Sequence, residues 1–346
     1  MRLLTYFFVF GITCLSAQSP KSYCIRTVAF YNVENLFDTR NDSLIFDDAR
    51  TPEGSYHWTQ TRYEKKIEHI SKVLSKIGAE TTKTSPDIIG LCEVENKKVV
   101  EDLVNHPNLQ GKDYGIVHFN SPDERGIDVA LLFKRSSFLP YSFKSHRLLL
   151  FDEMGQRNYT RDQLVVGGLM DGEEFHFIVN HWPSRRGGSA KSKPNRVRAA
   201  LLNKRIIDSI QNLDFNAKII SMGDLNDDPR DDSLKKILNT KAKVNQLDSL
   251  SLFNPMEKLY KKGVGSLAYR DKWNLFDQFF MTQNLVDKDD SGYSFWKTSI
   301  YSPDYLKTNK GRFKGYPFRT YSGTNYTEGY SDHFPVYLFL IKEVKE

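Results

Sequence analysis

Acids, amides and histidines recur where apolar, strand-like runs of this sequence end. Such groups stand in the segments NVEN (32–35), EVEN (93–96), NHW (180–182) and GDLNDD (223–228). The candidate residues are Asn32, Glu34, Glu93, His181, Asp224, Asn226, Asp277, Asp332 and His333. A single Asp or Asn at a strand end is most often a turn former. If neighbouring strands share these ends, however, the groups converge on one sheet edge and can act together.

Glu93 and the pair Asp332-His333 indicate which chemistry such a site would support. Glu93 directly follows the apolar run IIGLC, and a carboxylate at the tip of a buried strand needs a partner. A hard divalent cation is one such partner, because Mg²⁺ is held by one or two carboxylates together with waters and phosphate oxygens. Asp332-His333 precedes an apolar strand as a compact acid–imidazole pair, although a capped strand start with a satisfied histidine has the same pattern.

Strand-like runs and two helical patterns must position these groups. The runs include residues 27–33, 87–94, 114–119, 128–134, 164–170, 174–182, 218–224, 275–281 and 333–341. Helical periodicity covers 61–77, with Gly78 as a stop, and 194–211, where Pro194 suits a first turn. Residues 38–60 and 287–329 are expected to be long loops. Many strands come in adjacent pairs, which favours a mixed α/β layered domain over a simple parallel sheet.

The composition is typical of one globular domain. Of the 346 residues, 39% are hydrophobic and 27% are charged, which excludes wholesale disorder, collagen and coiled coil. We expect the domain to span residues 22–346. No stretch within it approaches the roughly 20 apolar residues of a membrane span, so no stable membrane insertion is expected. The net charge of +6 is compatible with a polyanionic substrate, and the sequence indicates no protein partner.

The first 18 residues have the layout of a secretory signal peptide. One Arg is followed by an apolar run and then by small residues at 16 and 17. This predicts a secreted or periplasmic protein, with lipoprotein anchoring through Cys14 as the less favoured alternative. After cleavage, Cys24 and Cys92 remain and could form one bridge, although Cys92 within IIGLC favours a buried, inert thiol.

Several sequence blocks together resemble the endonuclease/exonuclease/phosphatase superfamily. These blocks are YNVENLF, LCEVEN, NHWPSRRGG, GDLNDDP, FDQFF and YSDHFPV, in the expected order over roughly residues 26–341. The resemblance implies a four-layer α/β sandwich of two packed mixed β-sheets flanked by helices. It also implies a metal-dependent phosphoric ester hydrolase with its active site at one end of the sheets.

The resemblance further implies a role for each candidate residue. Glu93 would be the main ligand of a catalytic Mg²⁺ or Mn²⁺, supported by Glu34, often through water, and by Asp332. Asn32 and Asn226 would donate hydrogen bonds to the phosphate or position the attacking water. Asp224 would orient or deprotonate that water. His333 would contact the scissile phosphate and would be held in its tautomer by Asp277. His181 would help to protonate the leaving oxygen, with Glu124 orienting it and Arg125 contacting phosphate.

The substrate is less well defined by the sequence. Arg185 and Arg186 lie in a basic loop after His181, which favours contact with a nucleic-acid backbone, DNA or RNA. The alternative is a phosphatase or phosphodiesterase for inositol phosphates or phospholipids such as sphingomyelin; a third possibility is a catalytically silent binding module. Arg312, Lys314 and Arg319, interleaved with aromatic residues, form either a second stacking and phosphate-contact surface or an ordinary exposed loop.

Overall fold

The computed structural model describes residues 21–287 and 292–344. The predicted signal peptide, residues 1–18, therefore lies outside the described residues. The described strands are β1 (Ser22–Leu36), β2 (Ile88–Val94), β3 (Tyr114–His118), β4 (Asp128–Lys134), β5 (Phe138–His146), β6 (Leu150–Phe151), β7 (Arg157–Asn158), β8 (Gln163–Met170), β9 (Glu173–His181), β10 (Lys218–Asp224), β11 (Thr240–Lys241), β12 (Leu252–Phe253), β13 (Leu267–Tyr269), β14 (Lys272–Asn274), β15 (Asp277–Met281), β16 (Ser294–Ile300), β17 (Tyr321–Ser322), β18 (Asn325–Tyr326) and β19 (Val336–Val344).

The α-helices are few and mostly flank the strands. They are α1 (Gln60–Leu74), α2 (Ala79–Thr82), α3 (Lys97–Asn105), α4 (Ser189–Gln211) and α5 (Met256–Tyr260). The apolar stripe of α1 faces inward, and Asn96 caps α3 by accepting a hydrogen bond from Val99 N at 3.0 Å. None of the helices in the described segments combines the length and the apolarity needed to cross a bilayer.

Two large mixed sheets contain most of the strands. The first sheet has the order β16-β19-β1-β2-β4-β3, and within it β1 and β2 run parallel. The second sheet has the order β11-β12-β15-β10-β9-β8-β5, and its central strands β9 and β10 run parallel. Because β1 and β10 are interior strands of their sheets, the polar groups at their ends have neighbouring strands on both sides.

Side chains of alternating orientation divide the core into layers. Val28 and Phe30 of β1 pack against Phe177 and Met222 of the second sheet, while Ala29 and Tyr31, between and after them, pack on the side of α1 and α3. A third cluster joins the outer face of the second sheet to α4. Helices, first sheet, second sheet and α4 thus form four layers, which confirms the predicted sandwich.

Two sequence expectations differ from the structure. Helix α4 begins at Ser189, so Pro194 lies inside it and not in its first turn. The expectation of a loop over 287–329 is wrong for residues 294–300, which form edge strand β16. The pairing of β16 with β19 shifts register between Phe295 and Lys297, and this irregularity breaks the alternation by which a strand is recognised. Cys24 and Cys92 are both free thiols, so the possible bridge is not formed.

Candidate active site

Three neighbouring strands of the second sheet bring His181, Asp224 and Asp277 into one row. On the parallel strands β9 and β10, His181 is the partner of Asp224; on the antiparallel strands β10 and β15, Asp224 is the partner of Asp277. Gly223 permits this arrangement, because a Cβ atom there would lie 2.4 Å from Asn180 O on β9. The sequence GD at the end of β10 therefore fixes both the close approach of the strands and the position of the acid.

Irregular backbone in the first sheet presents Asn32, Glu34 and Glu93. The β1–β2 pairing shifts register between Asn32 and Leu36, and the β2–β4 pairing shifts between Cys92 and Val94. Glu34 and Glu93 lie in these stretches with φ of 52° and 62°, which is left-handed backbone that non-glycine residues rarely adopt. Asn32 Nδ2 donates to Asp224 Oδ2 at 3.1 Å and to Glu93 Oε1 at 3.4 Å, so one amide links the two sheets.

His333 lies just before β19 of the first sheet and is held by Asp277 of the second sheet. Its Nδ1 lies 2.7 Å from Asp277 Oδ2, an oxygen that also accepts a hydrogen bond from Ser266 Oγ. Burial by itself lowers the pKa of His333, but the carboxylates of Asp277 and Asp224 outweigh burial and hold that pKa well above its ordinary value. His333 is therefore an imidazolium at neutral pH, and its Nε2, 3.9 Å from Asp224 Oδ2, is the nitrogen left to face a substrate.

His181 lies beside the same carboxylates but has the opposite charge state. Its Nε2 is 3.7 Å from Asp224 Oδ2 and 3.9 Å from Glu93 Oε1. Burial, with help from the positive charges of Arg161 and Arg125, lowers the pKa of His181 well below its ordinary value. The imidazole is therefore neutral at neutral pH, and it can donate a hydrogen bond from one nitrogen without giving up a proton.

The expected contact between Glu124 and His181 is not formed. Glu124 is exposed, and the buried His181 Nδ1 has no hydrogen-bond partner among the described residues. The neighbouring acid Asp123 is buried instead, and it pairs with Arg161 at 2.8 Å. Arg161 in turn donates to Trp182 O at 2.7 Å, directly after His181. The ion pair next to His181 is thus formed by Asp123 and Arg161.

Asp224 is enclosed by hydrogen bonds and like charges. Its Oδ1 accepts from Asn226 N at 3.0 Å, while its Oδ2 accepts from Asn32. Burial raises the pKa of Asp224 to about 7; the positive charge of His333 opposes this shift, and the carboxylate of Asp277 adds to it. The side chain of Asn226 donates to Trp182 O at 3.0 Å. A carboxyl group with this pKa can accept or release a proton near neutral pH.

Glu34 and Asp332 form a second cluster next to the first. Arg319 lies between them, with Nη2 2.6 Å from Asp332 Oδ2 and Nε 3.9 Å from Glu34 Oε1. The buried Lys66 of α1 lies 3.9 Å from Glu34 Oε2, the oxygen that accepts a hydrogen bond from Thr320 N. Burial and the neighbouring Asp332 raise the pKa of Glu34 to about 7. Glu34 N donates to Asn32 Oδ1 at 2.9 Å, which connects the two clusters.

The donor set fits a divalent cation. Burial is the largest cause of the raised pKa values of Glu34 and Asp224, and buried carboxylates of this kind are commonly paired with a cation or coordinate a metal. The carboxylate oxygens of Glu93 and of the neighbouring acids are the kind of ligand that suits Mg²⁺ or Mn²⁺. Ligand atoms of Asp224, Asp277 and His333 also lie within 4.8 Å of one another, but the hydrogen bond between the last two explains that grouping.

The three predicted phosphate-contacting arginines lie in different surroundings. Arg185 is bound by protein groups, with Asp231 at 2.7 Å, Asn226 O at 2.8 Å and the ring of Phe276 beneath its guanidinium. Arg186 is exposed. Arg125 is half-exposed and lies 3.5 Å from an Asp123 oxygen. One groove of about 730 Å³ beside the loop that follows His181 is lined by four basic residues, Arg125, Arg161, Arg186 and Lys191, and by four acidic ones, Asp123, Glu124, Asp152 and Glu153.

Two buried basic residues of the site were not predicted from the sequence. Lys66 donates to Thr320 Oγ1 and Tyr330 O, both at 2.6 Å, and so holds the loop that precedes Asp332. Its place on the apolar stripe of α1, four residues before Ile70, was a usable signal. Arg161 lies in a segment without strand or helix periodicity, so the sequence carries no comparable signal for it.

Comparisons with known proteins agree with this geometry. The model of the family described as Endonuclease/Exonuclease/phosphatase family matches residues 27–342. Among curated proteins no match is found. A Bacteroides thetaiotaomicron protein of that family is similar in structure with a TM-score of 0.56 at 17% identity, covering 94% of this chain and 98% of that one.

Two further solved structures show the same fold. The B. thetaiotaomicron mannosyl-6-phosphatase has a TM-score of 0.54 at 17% identity, covering 91% of this chain and 99% of its own. A humanized D. rerio TDP2 has a TM-score of 0.55 at 13% identity, covering 91% and 98%. The family match over nearly the whole chain, together with the site described above, shows that this protein belongs to the endonuclease/exonuclease/phosphatase family of phosphoric ester hydrolases.

Proposed function

We propose that the protein is a secreted, Mg²⁺- or Mn²⁺-dependent nuclease that hydrolyses phosphodiester bonds of DNA or RNA. The observation that carries the proposal is the meeting of His333, Asp224 and Glu93 where both sheets end, beside a groove to which Arg125, Arg186 and Lys191 contribute. A D. rerio TDP2 structure with a single-strand DNA product has a related fold, at 13% identity and a TM-score of 0.52. Secretion rests on the signal-like layout of residues 1–18.

Asp224 is suited to activate the attacking water. Its carboxylate is oriented by hydrogen bonds from Asn32 and Asn226 N, and its pKa of about 7 allows it to take the proton that the water loses. The water oxygen then bonds to phosphorus as the bond to the leaving oxygen breaks, and the leaving oxygen takes up a proton from bulk water. We therefore propose Asp224, and not His333, as the general base, because the carboxylates of Asp277 and Asp224 raise the pKa of His333 and favour its protonated form.

His333 and His181 are suited to stabilise the negative charge that develops on the phosphate. The positive His333 faces the substrate with Nε2 and is fixed by Asp277, so its orientation costs no rearrangement during the reaction. The neutral His181 can donate one hydrogen bond to an oxygen on the same side. A divalent cation held by Glu93, with Glu34 and Asp332 nearby, would supply further charge neutralisation at the phosphate oxygens.

A parallel turnover assay tests the proposal. The purified protein is given plasmid DNA, RNA, sphingomyelin and an inositol phosphate, each with Mg²⁺, with Mn²⁺ and with excess chelator. We expect hydrolysis of nucleic acid that chelator abolishes and added metal restores. Cleavage that persists in excess chelator would reject the metal, and turnover of the lipid or inositol phosphate alone would establish the alternative substrate class.

A further inference from the structure

A cavity of about 480 Å³ lies between the hairpin of β13 and β14 and the loop 308–319. At one end it is lined by Arg319 and Asp332, the residue directly before His333. We infer that this cavity, here called the aromatic cavity, binds an unpaired nucleobase of the nucleotide next to the scissile phosphate. The inference rests on the proposed nuclease function and specifies single-stranded nucleic acid as the substrate.

Four aromatic side chains contribute to the lining of the aromatic cavity. They are Tyr269, Phe313, Tyr316 and Phe318. Tyr316 is fixed from behind, because its hydroxyl donates to Asp271 Oδ1 at 2.7 Å and its ring lies 5.7 Å from that of Trp273. The ring of Phe313 lies 5.6 Å from that of Tyr316 and is 50% exposed. Exposed rings on a fixed support are what base stacking requires, since every base presents a π-face.

The charges around the aromatic cavity favour a phosphodiester chain. Three arginines line it, against two aspartates. Arg312 pairs with Asp271 at 3.3 Å, and Arg319 pairs with Asp332. Arg270 lies over the ring of Tyr269 and forms no ion pair within residues 21–287 and 292–344. The surplus cation stands at the solvent side, where it can contact a backbone phosphate.

The position of the aromatic cavity ties its occupant to the reaction. His333 lies next to the cavity residue Asp332, and His181 lies next to Trp182, whose carbonyl contacts the groove residue Arg161. Both histidines are within 4 Å of Asp224 Oδ2. The catalytic groups therefore lie between the groove that Arg125, Arg161 and Arg186 help to line and the aromatic cavity. A strand bound along the groove would present its next base to the cavity, provided that the base is not paired.

Matched oligonucleotides test the inference. One single-stranded DNA oligonucleotide carries a base beside the scissile phosphate, and its partner has an abasic tetrahydrofuran at that position. We expect the wild-type protein to have a KM roughly 5- to 100-fold lower for the first, the range that stacking of one base gives. Phe313→Ala should lose this preference, and Phe313→Trp should retain it.

A control variant and a binding signal keep the outcomes distinct. Phe215→Ala removes a ring that is 63% exposed, against 50% for Phe313, and that lies shortly before the start of β10, at the other end of the sheet. This variant should behave as wild type. Binding to the cavity should also quench the fluorescence of 2-aminopurine placed at the tested position. Equal KM values for the two oligonucleotides, or no effect of Phe313→Ala, would overturn the inference alone. If neither oligonucleotide is cleaved, the proposed function fails, and absence of quenching then overturns the stacking as well.

Discussion

At His333 a single hydrogen bond sets both the charge and the direction of the imidazole. Asp277 binds Nδ1 and leaves Nε2 for the substrate, while Asp277 and Asp224 keep the ring protonated. His181, only one strand away from Asp224, stays neutral because Arg161 and burial act on it instead. Two residues of the same type thus contribute a full positive charge and a neutral donor, respectively.

His333→Ala should lower kcat by two or more orders of magnitude with the fold intact, because it removes a fixed positive charge at the phosphate. Steady-state kinetics and circular dichroism measure the two effects. His176→Ala is the matched control. His176 also lies on β9, but five residues before His181, so this variant should leave kcat unchanged. A His333→Ala enzyme with a rate near wild type would remove this residue from the mechanism.

Among the structural elements, β10 has a strict requirement for glycine at position 223. Asn180 O and Cβ would both lie within 2.6 Å of a Cβ atom at position 223. Any side chain there must push β9 and β10 apart. The partners Asp224 and His181, one residue further along, would then separate.

Gly223→Ala should therefore reduce kcat by at least ten-fold and lower the melting temperature, since the clash involves backbone atoms that cannot rotate away. Gly111→Ala is the control, because no atom lies within 4 Å of its added Cβ and its φ is not positive. Equal activity and stability of the two variants would show that the close approach of the strands is not needed.

A charged cluster at the opposite end of the sheets joins β1 to the turn between β8 and β9. Arg26 of β1 binds Asp171 through two hydrogen bonds of 2.7 Å, and Tyr293 donates to the same carboxylate at 2.6 Å. Burial favours a higher pKa for Asp171, but the hydrogen bonds from Arg26 and Tyr293 prevail and hold that pKa below its ordinary value. The stabilising contribution is thus complete above the ordinary pKa and is lost as the pH falls through the lowered one.

Asp171→Asn should lower the free energy of unfolding by about 1–3 kcal/mol at pH 7, the range for hydrogen bonds to charged groups. Denaturant titrations at pH 7 and below pH 4 should show this difference shrinking as the wild-type carboxylate becomes protonated. Asp208→Asn breaks an exposed ion pair with Lys204 and should cost under about 1 kcal/mol. A difference that stays constant with pH would contradict the role of the charge.

The regular parts of these elements could be predicted from the sequence, and the irregular parts could not. Strands β4 and β10 match their predicted runs residue for residue, because alternation and apolar runs report burial directly. The left-handed backbone at Glu34 and Glu93 has no such signal, since neither residue type favours it. Lys66 was missed because a lysine in a helix usually faces solvent, whereas here it is enclosed by acceptors.

At the scale of the whole molecule, the two arginines of the basic loop after His181 have different roles. Arg185 points into the protein and is bound by the acids that follow Asn226, so it fixes the turn that carries this residue. Arg186 is exposed and, together with Arg125, lines the groove of about 730 Å³ beside the loop that follows His181. Only the second kind of arginine releases counterions when a polyanion binds.

Arg186→Ala should therefore reduce the slope of log K for nucleic-acid binding against log salt by about one unit. Arg185→Ala should leave that slope unchanged and should instead lower thermal stability, because it leaves the buried Asp228 without its ion-pair partner, whereas Asp227 keeps Arg196 at 2.6 Å. Fluorescence anisotropy at several salt concentrations gives both slopes. If Arg185→Ala changes the slope as much as Arg186→Ala does, this division of the loop is wrong.

The backbone at Glu34, Glu93 and Asn226 has a consequence for how this protein can evolve. Left-handed conformations cost L-residues roughly 1–2 kcal/mol each, with Asn at the lower end, and glycine would remove that cost. A library selected for heat tolerance alone should accumulate glycine at these three positions and yield robust but inactive proteins. A library selected for turnover should keep the present residues and acquire its compensating mutations elsewhere in the sandwich.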